Sequence, residues 1–314
     1  MLVGTHEVEV FENARARLEA IAYRLLGSAS DAEDAVQDTF LRWQVADREF
    51  VETPDAWLTK VLTNICLNRL TSARAKRETY VGQWLPEPVF ASDRMLGPAD
   101  TVEQRESVSI AMLTLMERLS AKERVVYVLR EAFGYSHGEI AEVLDLSESN
   151  CQQIYRRAKQ HVATDRTRVA VDEAAARKIV EEFLAAALSG NTDSLVRLLT
   201  DDTISVGDGG GVVVSLPEPI TGALRVARFL RRLFEPSADK WAMIGGRADM
   251  FAALVNGVPA VVIVVGDRVV GVIALEVTTE GIAAIHTQGN PAKLERATRH
   301  WVASEHGEPL VENW

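Results

Sequence analysis

Cysteine is scarce in this chain: 314 residues hold two, Cys66 and Cys151. Each falls on a helical pattern without metal-ligand spacing, so both are expected as small buried side chains rather than as a metal site or redox switch. Long hydrophobic runs are also missing. No stretch approaches about 18 uninterrupted apolar residues, the length a membrane helix needs. The amino-terminal MLVGTHEVEVFENARARLEA is polar throughout, so neither a signal peptide nor a span is expected, and the cytoplasm is the expected location. Positive charge is in deficit, with 34 Lys and Arg against 45 Asp and Glu, a formal net charge of −11. Neutralised phosphates supply much of the affinity of a DNA-binding protein, which is therefore normally basic. If this chain acts at DNA, a larger assembly has to lend it charge. The hydrophobic content of 47% argues against disorder, and the length allows about two or three domains.

Ser120–Val162 carries the clearest signal, SAKERVVYVLREAFGYSHGEIAEVLDLSESNCQQIYRRAKQHV. It reads as a helix-turn-helix. The support helix is expected over Ser136–Leu144, with Ile140, Ala141 and Leu144 inward. Asp145-Leu146-Ser147 forms the turn, where Leu146 plugs the core and Ser147 caps the next helix. Recognition falls to Glu148–His161, with Cys151, Ile154, Tyr155 and Ala158 inward. Asn150, Gln152, Gln153, Arg156, Arg157 and Lys159 face out, and amides and guanidiniums are the groups that bond base edges and phosphates. An ordinary hairpin with a solvated outer face explains any one of these residues. Spacing, small residue, turn and basic exit together favour DNA.

A first helical domain spans residues 8–78. Phe11–Leu26 is a helix ended by Gly27, and Ser30 with Glu33 form a capping box before the helix Asp31–Trp43. The loop Val45–Thr53 leads to Pro54 and the helix Pro54–Arg77. A connector, residues 79–101, contains WLPEP at Trp84–Pro88, too apolar for a simple tether and expected to dock on a neighbouring domain. The helix-turn-helix domain covers residues 102–165. Residues 171–303 read as α+β, with helices on one curved antiparallel sheet. Its expected strands include Val212–Leu216 and Trp241–Arg247, and residues 304–314 form a loosely held tail.

DAEDAVQDTFLRW at Asp31–Trp43, AWLTKVLTNICLNRL at Ala56–Leu70 and the helix-turn-helix, in this order, resemble bacterial sigma factors of the extracytoplasmic-function type. The WLPEP connector and the extension resemble the subgroup with a SnoaL-like carboxy-terminal domain. Its two further motifs stand here as Asp208-Gly209-Gly210-Gly211 and Asn290-Pro291-Ala292-Lys293-Leu294. Val212 stands where a basic residue often follows the first motif, and Ala292 where an acidic one is often third in the second.

The resemblance implies two all-α sigma domains followed by an α+β SnoaL/NTF2-like cone, and a dissociable, non-enzymatic subunit of RNA polymerase without a cofactor. Its partners would be the core enzyme, through the β′ clamp coiled coil and the β flap, and promoter DNA. Asp31, Asp34, Gln37 and Asp38 would dock on the clamp. Asn64, Asn68 and Arg69, with the loop Val45–Thr53, would receive the unstacked −10 strand, and Arg74, Lys76 and Arg77 would hold phosphates. Asn150, Gln152, Gln153, Arg156, Arg157 and Lys159 would serve the −35 element. Trp84, Leu85, Pro86, the four residues Asp208–Gly211, and Asn290, Pro291, Lys293 and Leu294 would make regulatory interdomain contacts. Relatives of the cone include isomerases and cyclases, whose chemistry needs a base and an oxyanion donor. Candidates are Asp208, Asp249, His286 and Trp241, of which Asp208 also reads as the polar leader of a flexible turn and His286 as a strand-end residue. A small ligand in the cone, and a DNA-binding regulator fused to a ligand-sensing domain, are the alternatives.

Overall fold

Serine starts five helices of the amino-terminal half. Ser28, Ser109, Ser120, Ser136 and Ser147 each accept a hydrogen bond from the backbone N–H three residues on, satisfying one of the donors that a helix start leaves unpaired. Ser120 with Glu123 and Ser136 with Glu139 close reciprocal capping boxes. Ser30 does not cap: the chain turns at Gly27 (φ 66°), and the hydroxyl of Ser28 takes the N–H of Asp31, so the helix begins at Ala29, two residues before the expected Asp31.

A computed structural model describes residues 5–77, 80–97, 104, 107–163, 169 and 171–314, the side chains of residues 5, 6, 48 and 73–77 excepted. Two units form, residues 1–79 with 92–164, and residues 80–91 with 165–314. In the first, α1 (Thr5–Leu26), α2 (Ala29–Val45) and α3 (Pro54–Arg77) make a bundle around Phe11, Leu18, Ile21, Leu25, Val36, Trp43, Leu58 and Leu62. Each such side chain contributes about 1.5–3 kcal/mol on burial. Then come α4 (Ile110–Leu115), α5 (Ala121–Glu131), α6 (His137–Leu144) and α7 (Glu148–Val162). Asp145 adopts the left-handed conformation (φ 52°) between α6 and α7, the turn of a helix-turn-helix.

Buried Arg24 ties the halves of this unit together. Its guanidinium donates to the hydroxyl of Ser107 (2.8 Å) and to the carbonyls of Leu96 (2.6 Å), Ala20 (3.2 Å) and Gln104 (3.3 Å). Burial pulls its pKa down to about 9, so the charge is tolerated because nearly every donor is used. Arg124, on α5, reaches the carbonyl of Arg24 at 3.2 Å and pairs with Glu117.

The second unit is α+β. After α8 (Glu173–Leu188) and α9 (Thr192–Val196) come β1 (Leu199–Asp208), β2 (Ile220–Thr221), α10 (Ala223–Phe234) and α11 (Ala238–Ile244). A meander follows, β3 (Asp249–Val255), β4 (Val258–Val265), β5 (Arg268–Thr278) and β6 (Gly281–Gln288), closed by α12 (Pro291–Ala303). The sheet order is β2-β1-β6-β5-β4-β3. Phe183, Val226, Leu230, Phe234, Val261, Ile273, Leu275 and Ile285 form the core between one face of this sheet and α8 and α10.

Four expectations are corrected. The sheet is mixed, because β1 lies parallel to β6 while the other neighbours are antiparallel. Val212–Leu216 is no strand, and Val212 and Val214 stay 73% and 88% exposed, with no strand beside them to pair with. Trp241–Arg247 is largely the helix α11, started by the Ser237 hydroxyl and stopped by Gly245 at φ 91°. The tail is held: Leu310 N–H donates to the carbonyl of Met250, Met250 N–H to that of Val311, and Trp314 exchanges backbone bonds with Ala248. An edge strand needs such cover for its open hydrogen-bonding groups.

Candidate nucleic-acid interface and the connector clamp

On α7 the inward residues Cys151, Ile154, Ala158 and Val162 are buried, and the opposite face is open. Asn150, Gln153, Arg156, Arg157 and Lys159 are exposed. Asn150, Gln153 and Arg156 spend no side-chain donor or acceptor on another described residue. Gln152 is half-buried and donates to Glu148 at 3.3 Å, while Lys159 lies 3.8 Å from Glu131. Tyr155 is only partly buried, its hydroxyl bonded to Glu131, and burial with that carboxylate raises its pKa. The helix is anchored by one stripe and offers a row of amide and guanidinium groups along the other.

Asn64 and Asn68 lie one turn apart on α3, both exposed. Arg69 is turned elsewhere: it donates to Asp38 at 2.8 Å and to the carbonyl of Asp31 at 3.0 Å, and sits 3.9 Å from the carboxylates of Asp31 and Asp34. The acidic face of α2 thus keeps Asp31, Asp34 and Gln37 exposed, with Asp38 half-covered and held by Arg69. The side chains of Arg74, Lys76 and Arg77 lie outside the described residues. Beside these groups, Leu41, Val45 and Phe50 are 51%, 85% and 81% exposed. Sequence reasoning passed over these three as individuals. Their signal was apolar character at positions that the inward stripe of α2 does not use, and in the loop after it.

The connector segment Tyr80–Ala91 packs with the carboxy-terminal unit. Its centre is Asp208, at the end of β1 and 1% exposed. One carboxylate oxygen accepts from the Tyr80 hydroxyl (2.6 Å) and Gly210 N–H (3.0 Å). The other accepts from Leu85 N–H (2.9 Å), Lys293 Nζ (2.6 Å) and Gln288 Nε2 (3.4 Å). Lys293 also donates to the carbonyl of Leu85 (2.7 Å) and lies over the rings of Trp84 (4.4 Å) and Tyr80 (4.8 Å). Burial, and then Asp208 as bond partner and charge, pushes the Tyr80 phenol up. Asn290 caps α12 through Ala292 N–H and donates to Tyr80 at 2.8 Å.

Glycine is needed in the motif because the turn is tight. A Cβ on Gly209 would lie 1.9 Å from the carbonyl oxygen of Val213, and one on Gly210, at φ 61°, 2.4 Å from Asn290. Pro291 occupies the first turn of α12, and Leu294 is buried one residue past Lys293. Further along, Val89 and Asn256 exchange two hydrogen bonds (2.8 and 3.0 Å), and Phe90 pairs with Val255 beside the ring of His300. Tyr80, Gln288, Val89 and Phe90 escaped the sequence reading. Nothing marks Tyr80 in a row of turn formers except its later partners.

Two family models match the chain: Sigma-70 region 2 over residues 10–76, and Sigma-70, region 4 over residues 109–162. The ECF RNA polymerase sigma factor SigJ of Mycobacterium tuberculosis is 35% identical over 259 residues, covering 80% of this chain and 83% of SigJ. This chain belongs to the ECF RNA polymerase sigma factors. The probable ECF sigma factor SigI of the same organism is 31% identical over 283 residues, 90% of this chain and 92% of SigI. The crystal structure of SigJ superposes with a TM-score of 0.69 at 31% identity, covering 91% of this chain and 97% of that one. The expected order of two helical sigma domains and an α+β domain is therefore the fold of this sigma factor, and the alternative of a DNA-binding regulator fused to a ligand-sensing domain is not favoured.

Among the residues considered for chemistry, Asp208 is committed to five donors. Asp249 accepts from Asn313 N–H at 2.9 Å, and Trp241 stacks under Arg247 at 4.2 Å. His286 is buried, on the sheet face opposite Ile285 and the α8–α10 core. A cavity of about 470 Å³ opens between α11, α12 and the β4–β5 turn, walled by Val213, Ile244, Val269 and Leu294 with Arg268 at its rim. Among the described residues no helix is long and apolar enough to cross a membrane, and no cluster of metal-ligating side chains occurs.

Proposed function

We propose that this sigma factor works in the cytoplasm, docks on core polymerase through Asp31, Asp34, Gln37 and Asp38 of α2, and places two DNA-reading faces on a promoter. The clamp coiled coil of β′ is the intended partner of α2, and the β flap that of the helix-turn-helix unit. Gln152, Gln153 and Asn150 read base edges of the −35 element, while Arg156, Arg157 and Lys159 add phosphate and guanine contacts. Asn64 and Asn68 receive the unstacked −10 strand, with Phe50 as the ring on which a base stacks. Arg69 acts through the α2 carboxylates it holds, and Arg74, Lys76 and Arg77 grip the backbone. The observation that carries this reading is the open face of α7, where Asn150, Gln153 and Arg156 make no side-chain bond to another described residue.

The carboxy-terminal unit regulates. Asp208, Lys293 and Asn290, with the glycine turn Gly209–Gly211, Pro291 and Leu294 shaping their seat, bind the connector at Trp84, Leu85 and Pro86. They thereby set how much free chain separates the −10 and −35 modules. Catalysis plays no part in the reading, because the one carboxylate in the motif is saturated with donors. A small ligand in the cavity would bear on the same contacts, since Val213 and Leu294 adjoin the two motifs.

The test is transcription in vitro with purified core polymerase on a −35/−10 promoter that core alone ignores. The 314-residue chain should initiate there, and a chain ending near residue 164 should initiate at an altered level. Failure to form a holoenzyme would sink the docking scheme, and wild-type output from the shortened chain would sink the regulation.

A further inference from the structure

Helix α10, ALRVARFLRRLF, carries four arginines and no acid. At about 100° per residue, Arg225, Arg228, Arg231 and Arg232 fall within one sector of roughly 120°. All four are exposed, and Leu224 beside them is 48% exposed. The opposite face, Val226, Ala227, Leu230 and Phe234, is fully used in the core. None of the four guanidiniums makes a hydrogen bond or ion pair with another described residue. Arg225–Arg228, Arg228–Arg231 and Arg228–Arg232 are like-charge neighbours at spacings of three and four, which weaken a helix. In a chain with 45 acidic residues, none is placed on this helix to relieve them.

We propose that this ridge is a third DNA contact, gripping promoter phosphates from the carboxy-terminal unit without reading sequence. Guanidinium groups match phosphate oxygens with two parallel bonds, which ammonium groups do not. Arg225 to Arg232 spans about 10 Å of helix, against one duplex charge per roughly 1.7 Å of axis, so the ridge faces about six phosphate charges. In a protein of net charge −11, charge complementarity singles out a polyanion as the occupant. Duplex DNA is the polyanion every sigma factor is brought to.

The experiment uses holoenzyme assembled from the full chain, with promoter affinity measured over a salt series. Joint replacement Arg225→Ala, Arg228→Ala, Arg231→Ala and Arg232→Ala should flatten the slope of log K against log salt by roughly 0.9 per phosphate lost, about 2 to 4 in all. Affinity at the lowest salt should fall more than tenfold, with no change in base preference. The matching set of four lysine replacements should keep most of the slope. Co-migration with core polymerase is scored on the same samples, so a failure to assemble is told apart from a failure to grip DNA. An unchanged slope in assembled alanine holoenzyme overturns the proposal. So does an intact slope with impaired assembly, which would make the ridge a seat for an acidic protein surface.

Discussion

The outer face of α7 and the surroundings of Asp208 are both crowded with polar groups, and they use them in opposite ways. Asn150, Gln153 and Arg156 stand exposed with their bonding capacity unspent, whereas the two oxygens of Asp208 accept five donors in a pocket that leaves it 1% exposed. Solvated polar groups cost the fold nothing and stay available to another molecule. Buried ones have to be satisfied from within the chain. The contrast separates what this sigma factor offers to DNA from what it uses to hold itself.

Breaking the buried side of the contrast should have the largest effect. Lys293→Ala strands the Asp208 charge and should cost about 3–5 kcal/mol, read as a lowered denaturation midpoint together with protease cleavage within residues 80–91. Asp208→Asn combined with Lys293→Met should cost clearly less. A double variant as unstable as Lys293→Ala would mean that packing, not charge, holds the connector. Arg24→Met tests the same rule in the other unit. It leaves the Ser107 hydroxyl and three carbonyls short of a donor, and about 2–3 kcal/mol should be lost in chemical unfolding.

The open side should behave differently. Gln153→Ala should leave stability within about 0.5 kcal/mol yet alter base preference at one −35 position by about 1–3 kcal/mol. Arg157→Ala should weaken all promoters alike. Identical preference profiles for the two variants would end that division of labour. Smallest is a pH effect. Burial pushes the Glu123 carboxyl up, but the hydroxyl and backbone N–H of Ser120 outweigh it and hold its pKa below the ordinary carboxylate value. The Ser136 donors do the same for exposed Glu139. A carboxyl lowered by folding stabilises the protein above its unfolded pKa, and the benefit fades as pH falls through the folded value. Thermal stability should therefore decline below about pH 4.5, and Glu123→Gln should flatten that decline.

Much of the first unit was legible because helical spacing and caps are local. Ile140, Ala141, Leu144, Cys151 and Ile154 turn inward as their spacing requires, and Ser136 and Ser147 cap the helices they precede. Ser28 against Ser30 shows the limit: both can cap, and the turn at Gly27 chooses. In the second unit Trp241–Arg247 is expected as a strand, but the Ser237 cap and Gly245 make a helix that takes in its first four residues. Arg69, expected at DNA, has its guanidinium drawn to Asp38 by the packing of α3 on α2.

The sequence by itself determined the helix-turn-helix, the acidic face of α2 and the need for a larger assembly, since these rest on periodicity, capping chemistry and net charge. Only the tertiary structure decided that Tyr80, Leu85, Gly210, Gln288 and Lys293 meet on one carboxylate, and that β1 runs parallel to β6. Contacts such as those of Tyr80, Leu85, Gln288 and Lys293 with Asp208, 80 to 128 positions apart, are set by which buried polar groups can satisfy one another in the packed chain. No local pattern carries that information.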